Sequence, residues 1–306
     1  RAQDRLRAGQ ARPARRAAPG DQIPIAPQAQ AQSRDLIGAA TGCGDKMAAW
    51  RWFWLLVALA SAHTCVAASA FTLRHQDATF DVYRLGQGEE QQLRFFWKRP
   101  DGTDYGSLHA LREALAAEGR ELVFAVNGGI YSEQFTPLGL YIENGERHYQ
   151  LNREEGGGNF FLEPNGVFYV TATGARVVQT DDYRPEGGVR HAVQSGPMLV
   201  IGGALHPRFI PGYHSKHIRN GVGVDREGRV VFAISNAPVN FHDLGTLFRD
   251  VLDCPNALYL DGAISEMYAP DLHRYGGWPW RRFTTMIGIV RPPPDSSKGS
   301  SAGTDR

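Results

Sequence analysis

The sequence predicts an α+β fold, a single domain with a mixed or antiparallel sheet and a few helices. Three observations carry this. Glycine makes up 35 of the 306 residues, well above the ~7% of an average chain, so tight turns are many. Short runs of β-branched and aromatic residues alternate with turn dipeptides, the pattern of strands. Only two segments show the apolar period of a helix.

Taken in order, Val82–Leu85 and Leu93–Trp97 read as strands. Ser107 caps a predicted helix with Leu108, Leu111 and Leu115 on one face, stopped by Gly119. Glu121–Val126 is a buried-type strand. Glu143-Asn144-Gly145 predicts a hairpin turn, because Asn-Gly supplies the positive φ angles such turns need. Pro164-Asn165-Gly166 is expected to repeat the device, and Asp225–Gly228 to close a third hairpin between Val222 and Ile234. Asp243 is expected to cap a helix carrying Leu244, Leu247, Phe248, Val251 and Leu252, ended by Pro255. Ala257–Leu260 and Met286–Val290 complete the strands.

A formal net charge of +1 gives no global field that would call for nucleic acid or an anionic membrane. Residues 1–46 carry eight Lys/Arg and four Asp/Glu with few large apolar residues, the composition of a disordered or non-native extension. Lys46 and Arg51 then flank the apolar run Trp52–Ala60, and Ala68-Ser69-Ala70 is a small-x-small site. Together they predict a signal peptide over 47–70 and a periplasmic or secreted protein, with membrane contact only through that segment if it is not cleaved. A catalytic domain is expected over 71–293 and a disordered tail over 294–306. Cys254 alone remains in the mature part, so no disulfide is expected there.

Four apolar runs end in a polar residue, mostly beside glycine: Asn127-Gly128-Gly129, Ser195-Gly196, Ser235-Asn236 and Asp261-Gly262. A rigid strand aims its terminal polar group, and glycine lets a ligand approach the backbone. Asp261 is the foremost catalytic candidate, with Glu266 as the second carboxylate that glycoside chemistry uses and Glu133 as a further possibility. Tyr213–Gly221 is the densest basic stretch of the mature part, and Arg219 with Lys216 suits an anionic substrate. His214, His217 and His242 lack the spacing of a metalloprotease, and no resident metal or cofactor is expected. No P-loop, dinucleotide fingerprint or nucleophile elbow is present in the sequence.

Several separate runs in order give the chain a resemblance to the phosphodiester glycosidase family, in its compact bacterial exported branch. They include Asn127–Tyr131, Pro137–Tyr141, Gly158–Phe161, Pro164–Phe168, Gln194–Leu199, Arg219–Val224, Val239–Asp243 and Leu260–Gly262. The resemblance implies an α+β catalytic domain whose cleft is lined by the Asn-Gly, Ser-Gly-Pro, Arg and Asp-Gly runs. It implies hydrolysis of the bond between a sugar's anomeric carbon and phosphate in a sugar-1-phosphodiester. Asp261, Arg219 and Glu266 are the expected catalytic residues, Asp261 as nucleophile or as the base that activates water. Asn127, Gly128, Gly129, Ser195, Gly196, Lys216, Asn220, Asn236, His242 and Gly262 are the expected substrate-binding residues. The alternatives are a glycan- or glycolipid-binding module that cleaves nothing, and a metal-dependent phosphodiesterase.

Overall fold

The computed structural model describes residues 67–185, 187–261, 264–276 and 281–292. All belong to the unit His63–Arg306. The expected N-terminal extension, most of the expected signal segment, the C-terminal tail and Gly262 lie outside the described residues. Ser69 and Ala70, at the end of that expected segment, begin the first strand. Among the described residues no helix is long and apolar enough to cross a membrane.

In chain order the strands are β1 (Ser69–His75), β2 (Ala78–Arg84), β3 (Leu93–Phe96), β4 (Glu121–Asn127), β5 (Tyr141–Glu143), β6 (Glu146–Tyr149), β7 (Gly166–Thr171), β8 (Gly174–Gln179), β9 (Val189–Ser195), β10 (Met198–Ile201), β11 (Ala204–Leu205), β12 (Asn220–Val224), β13 (Val230–Ser235), β14 (Asn256–Asp261), β15 (Met267–Ala269), β16 (Arg274–Tyr275) and β17 (Met286–Arg291). The α-helices are α1 (Leu108–Ala117) and α2 (Phe241–Thr246). The strands form three sheets, ordered β1-β2-β13-β12-β14-β10-β11, β16-β15-β4-β17-β3 and β6-β5-β9-β7-β8. Every strand pairing among the described residues is antiparallel. The fold is therefore largely β, and the mixed sheet allowed by the sequence is not found. Parallel pairs need long crossovers; most connections here are short turns.

The inner faces of all three sheets share one apolar core. Phe232 and Leu258 come from the first sheet, Phe95 and Phe124 from the second, Phe168 and Val193 from the third. Period-2 alternation sends the other side chains outward. On the first sheet that outer face is covered by α2 and its continuation, through Leu244, Leu247 and Phe248. Gly221 and Gly223 permit this approach: a Cβ on Gly223 would lie 2.7 Å from Cys254 Sγ and 3.0 Å from Phe248. Helix α1 covers the second sheet with Leu108, Leu111 and Leu115. Its N-terminus is capped as expected, Ala110 N–H donating to Ser107 Oγ at 3.1 Å.

Two local expectations are corrected. Helix α2 is capped by Asn240, whose Oδ1 accepts from Asp243 N–H at 2.9 Å, so Asp243 sits in the first turn instead of before it. A π-helical turn, Leu247–Val251, continues α2 before Pro255 is reached. Pro164-Asn165-Gly166 is not a hairpin turn: Gly166 begins β7, whose hairpin partner is β8. Asn165 instead donates to Phe160 O at 2.9 Å, tying down the segment ahead of the strand. The Asn144-Gly145 turn forms as expected, at φ 52° and 85°.

Gln194 locks the third sheet to the segments around it. Its Oε1 accepts from Leu140 N–H at 3.0 Å and Asn152 N–H at 2.9 Å. Its Nε2 donates to Asn152 O at 2.7 Å and Thr180 Oγ1 at 3.1 Å. This uses the full capacity of the amide. Gln194→Leu leaves several buried groups unpaired and is expected to lower the unfolding free energy by about 2–4 kcal/mol. Urea denaturation with an unchanged slope checks this; a midpoint equal to wild type contradicts it.

Candidate active site

Strands β12 and β14 pair antiparallel, with Asn220 opposite Asp261 and Gly221 opposite Tyr259. Leu260 is the extra residue of a bulge between them. A bulge disrupts the ladder and re-aims the following side chain. The liberated Leu260 carbonyl is buried and needs a donor. Ser195, at the end of β9, supplies it: its Oγ donates to Leu260 O at 3.0 Å.

Asp261 then meets Asn127, the last residue of β4 in the second sheet. Asn127 Nδ2 donates to Asp261 Oδ2 at 2.8 Å. Asn127 Oδ1 accepts from Glu266 N–H at 2.8 Å and from Asn220 Nδ2 at 3.0 Å. Asn220 Nδ2 also reaches Asn127 O at 2.9 Å, and Asn220 Oδ1 accepts from Asp261 N–H at 2.9 Å. Ser265 Oγ closes the ring of bonds by donating to Asp261 O at 2.6 Å. All five residues are buried. Two side-chain amides thus join the ends of two sheets and orient one carboxylate.

Glu266 is buried, and its Oε1 has no hydrogen-bond partner among the described residues. Burial pushes its carboxyl up to about 7, outweighing the opposing charges of Arg281 and Arg274. Arg274 pairs with Asp81 at 3.2 Å. Arg281 is only partly buried, and no hydrogen bond or ion pair engages it among the described residues. Tyr131 lies within electrostatic reach of Asp261. Burial pushes its phenol up to about 12, with the charge of Asp261 adding to the effect, and its hydroxyl donates to Arg282 O at 3.1 Å. Its ring stacks on Phe135 with centroids 5.4 Å apart.

The remaining expected residues are distributed as follows. Arg219 is 1% exposed, too deep for the contact clamp expected of it. It donates to Val239 O, Tyr259 Oη and Ser215 O at 2.9, 3.0 and 3.1 Å, and lies 3.8 Å over the Phe241 ring. Lys216, Glu133, His214 and His217 are exposed. Asn236 is exposed, and its N–H bonds Thr79 O at 2.9 Å, away from the Asn127 bonds. His242 faces Asp243 at 3.6 Å on α2. Gly128, Gly129 and Gly196 serve close packing: a Cβ on each would lie within 3 Å of Ile287, Val193 and Asn165 respectively. Arg281 was not singled out by the sequence; the only signal is its place after the Trp278-Pro279-Trp280 run.

The raised proton affinity of Glu266 has a consequence for stability. At low pH both folded and unfolded chains hold this proton. As pH rises through the ordinary value of 4.5 the unfolded chain releases it, while the folded chain keeps it until about 7. The folded state binds more protons in that window, so stability falls as pH rises from about 4.5 to 7. Glu266→Gln removes this slope. Relative to wild type, the variant is expected to gain about 1–3 kcal/mol between pH 5 and pH 8. Parallel pH–stability curves for the two proteins, measured by denaturant titration, would contradict it.

The sequence profile described as "Phosphodiester glycosidase" matches residues 120–290, a span that holds Asn127, Asn220, Asp261, Glu266 and Arg281. "Uncharacterized protein YigE" of Escherichia coli (strain K12) is 40% identical over 228 residues, covering 74% of this chain and 87% of YigE. Among solved structures, the zebrafish N-acetylglucosamine-1-phosphodiester alpha-N-acetylglucosaminidase catalytic domain, auto-inhibited by its pro-peptide, matches with a TM-score of 0.52. That match covers 75% of this chain and 84% of the zebrafish chain at 16% identity, a likeness of fold. The profile takes in more than half of the chain, including both sheet ends that Asn127 joins, and the chain belongs to the phosphodiester glycosidase family.

Proposed function

We propose that the chain is an exported hydrolase that cleaves the bond between a sugar's anomeric carbon and the phosphate oxygen of a sugar-1-phosphodiester. The observation that carries this reading is that two carboxyl-bearing residues meet on one amide, Asp261 through its carboxylate and Glu266 through its backbone. Asp261 is oriented by Asn127 Nδ2, and Glu266, bonded through its N–H to Asn127 Oδ1, has its proton affinity raised to about 7. Family membership supports the reaction class.

In this reading water adds to the anomeric carbon as the C–O bond breaks, and the phosphate departs as a monoester. A phosphate monoester has a second pKa of about 6, so it leaves with little help from an acid. Glu266, near half protonation at neutral pH, can deliver the proton that is needed and recover it afterwards. Asp261 acts on the anomeric side, attacking the carbon or taking the proton of the attacking water; the configuration of the released sugar separates these two. Arg281, whose charge acts on Glu266 and which no side chain engages among the described residues, supplies the cation for a phosphate oxygen in this reading. A pure binding module has no use for a carboxyl poised to titrate near neutrality, which favours the enzyme.

The test is incubation of the protein with a panel of sugar-1-phosphodiesters, with and without chelator. Free sugar and phosphate monoester are expected as products despite chelator. Asp261→Asn is expected to lower kcat by at least ~10²-fold. Glu266→Gln is expected to remove the pH limb near 7, and Arg281→Ala to raise KM. Sugar phosphate released only with added metal would replace this reading with a phosphodiesterase. Saturable binding without turnover would replace it with a binding module.

A further inference from the structure

Five large apolar side chains stand exposed among the described residues, and three of them fall in one loop: Ile210 (60% exposed), Tyr213 (46%) and Ile218 (38%). Isolated exposed apolar residues are ordinary, whereas a cluster marks an interaction surface. The loop, between β11 and β12, is firmly anchored. Phe209 turns inward, stacking on Phe241 at 5.1 Å and 6°, and on His206 at 4.7 Å. At the other end His217 N–H donates to Val239 O at 3.1 Å, and Val239 N–H returns to His217 O at 2.8 Å. Arg219 ties Ser215 O from beneath. The apolar tips are therefore held outward by a fixed backbone.

Glu155 and Glu163 line a pocket with Arg208 at the start of the loop, but the segment that carries the tips is itself without acidic residues. No Asp or Glu occurs between Glu186 and Asp225 in the sequence. Lys216 is exposed beside Tyr213 and Ile218, and His214 and His217 are exposed with it. Apolar tips among a cation and ring N–H donors complement a surface that is apolar inside and carries phosphate oxygens outside.

We propose that the loop Pro207–Ile218 docks the domain on a membrane bearing anionic headgroups, inserting Ile210, Tyr213 and Ile218 among the lipids. The loop leads directly into Asn220, whose amide holds Asn127 and Asp261. Docking there would bring a membrane beside the carboxylate. Taken together with the glycosidase reading, on which this last step rests, the arrangement suits a sugar-1-phosphodiester whose alcohol is a lipid.

The experiment needs no substrate, so its failure leaves the glycosidase reading standing. The full chain is mixed with phosphatidylcholine vesicles, with and without phosphatidylglycerol, and sedimented. The triple variant Ile210→Ser, Tyr213→Ser, Ile218→Ser is expected to lower partitioning into the anionic vesicles by at least about tenfold, and Lys216→Glu to lower it in part. The apolar run Trp52–Ala60 is common to all these proteins, so the loop is also read locally, by amide exchange of residues 208–218. Protection of that segment on adding anionic vesicles is expected. The proposal fails if the triple variant sediments like wild type and the segment gains no protection. It fails equally if protection appears without vesicles as the protein is concentrated, which would assign the surface to a second copy of the chain.

Discussion

The side-chain amide of Asn127 is the interaction on which the rest of the site depends. It stands where the second sheet meets the first, and it uses both polarities at once. Its Nδ2 donates to Asp261, and its Oδ1 accepts from Asn220 and from the Glu266 backbone. A side-chain amide offers two donors and an acceptor on one short rigid plane. A carboxylate at the same place would set two acceptors against Asp261; an aliphatic residue would leave several buried polar groups without partners. In a buried network each bond strengthens its neighbours, and each missing bond costs more than it would in water. Sheet packing and carboxylate orientation are therefore one structural problem with one solution.

The backbone around this amide departs from a regular sheet in one place, the bulge at Leu260. It sets the direction of Asp261, and it exposes a carbonyl that Ser195 then satisfies. Ser195 comes from the third sheet, so all three sheets contribute to holding one residue. The glycines beside the site belong to the same constraint. Gly128 and Gly129 stand where a methyl group would collide with a neighbouring strand, and Gly196 where it would collide with Asn165 and the Phe160 carbonyl. They allow close packing of sheets more than close approach of a ligand.

Which parts of this were legible in the sequence follows from what a sequence encodes. Asn127 and Asp261 end apolar runs of strand period, and a strand end has a direction that can be read; their convergence, however, depends on three sheets packing. Helix α1 announced itself through Ser107 and the leucine spacing. For α2 the apolar face was readable but the cap was not, since Asn240 and Asp243 are both good capping residues and only backbone geometry separates them. Gly166 was read as part of a turn because Pro-Asn-Gly is turn chemistry, yet its neighbours bury it at the start of a strand. The basic stretch around Arg219 showed charge without showing depth: Lys216, His217 and Ile218 all lie outside, and the chain turns inward only at Arg219, next to the start of β12. Arg281 carries little local pattern beyond following Trp278-Pro279-Trp280, and its effect on Glu266 depends on tertiary placement.

Arg219 shows how a buried charge can bear on a site without touching a ligand. Burying a guanidinium is costly and is usually offset by a carboxylate. Here no carboxylate pairs with it among the described residues; two backbone carbonyls, the Tyr259 hydroxyl and the faces of Phe241 and Tyr259 take that place. These groups stabilise the cation through dipoles and ring quadrupoles, which leave its net charge uncancelled. Tyr259 stands between, sensing both Arg219 and Asp261, and its own ionisation is strongly opposed by burial. That hydroxyl therefore stays neutral and keeps donating and accepting as a hydroxyl. Arg219 is thus held as a fixed internal strut between Ser215, Val239 and Tyr259 and does not meet a ligand from its buried position.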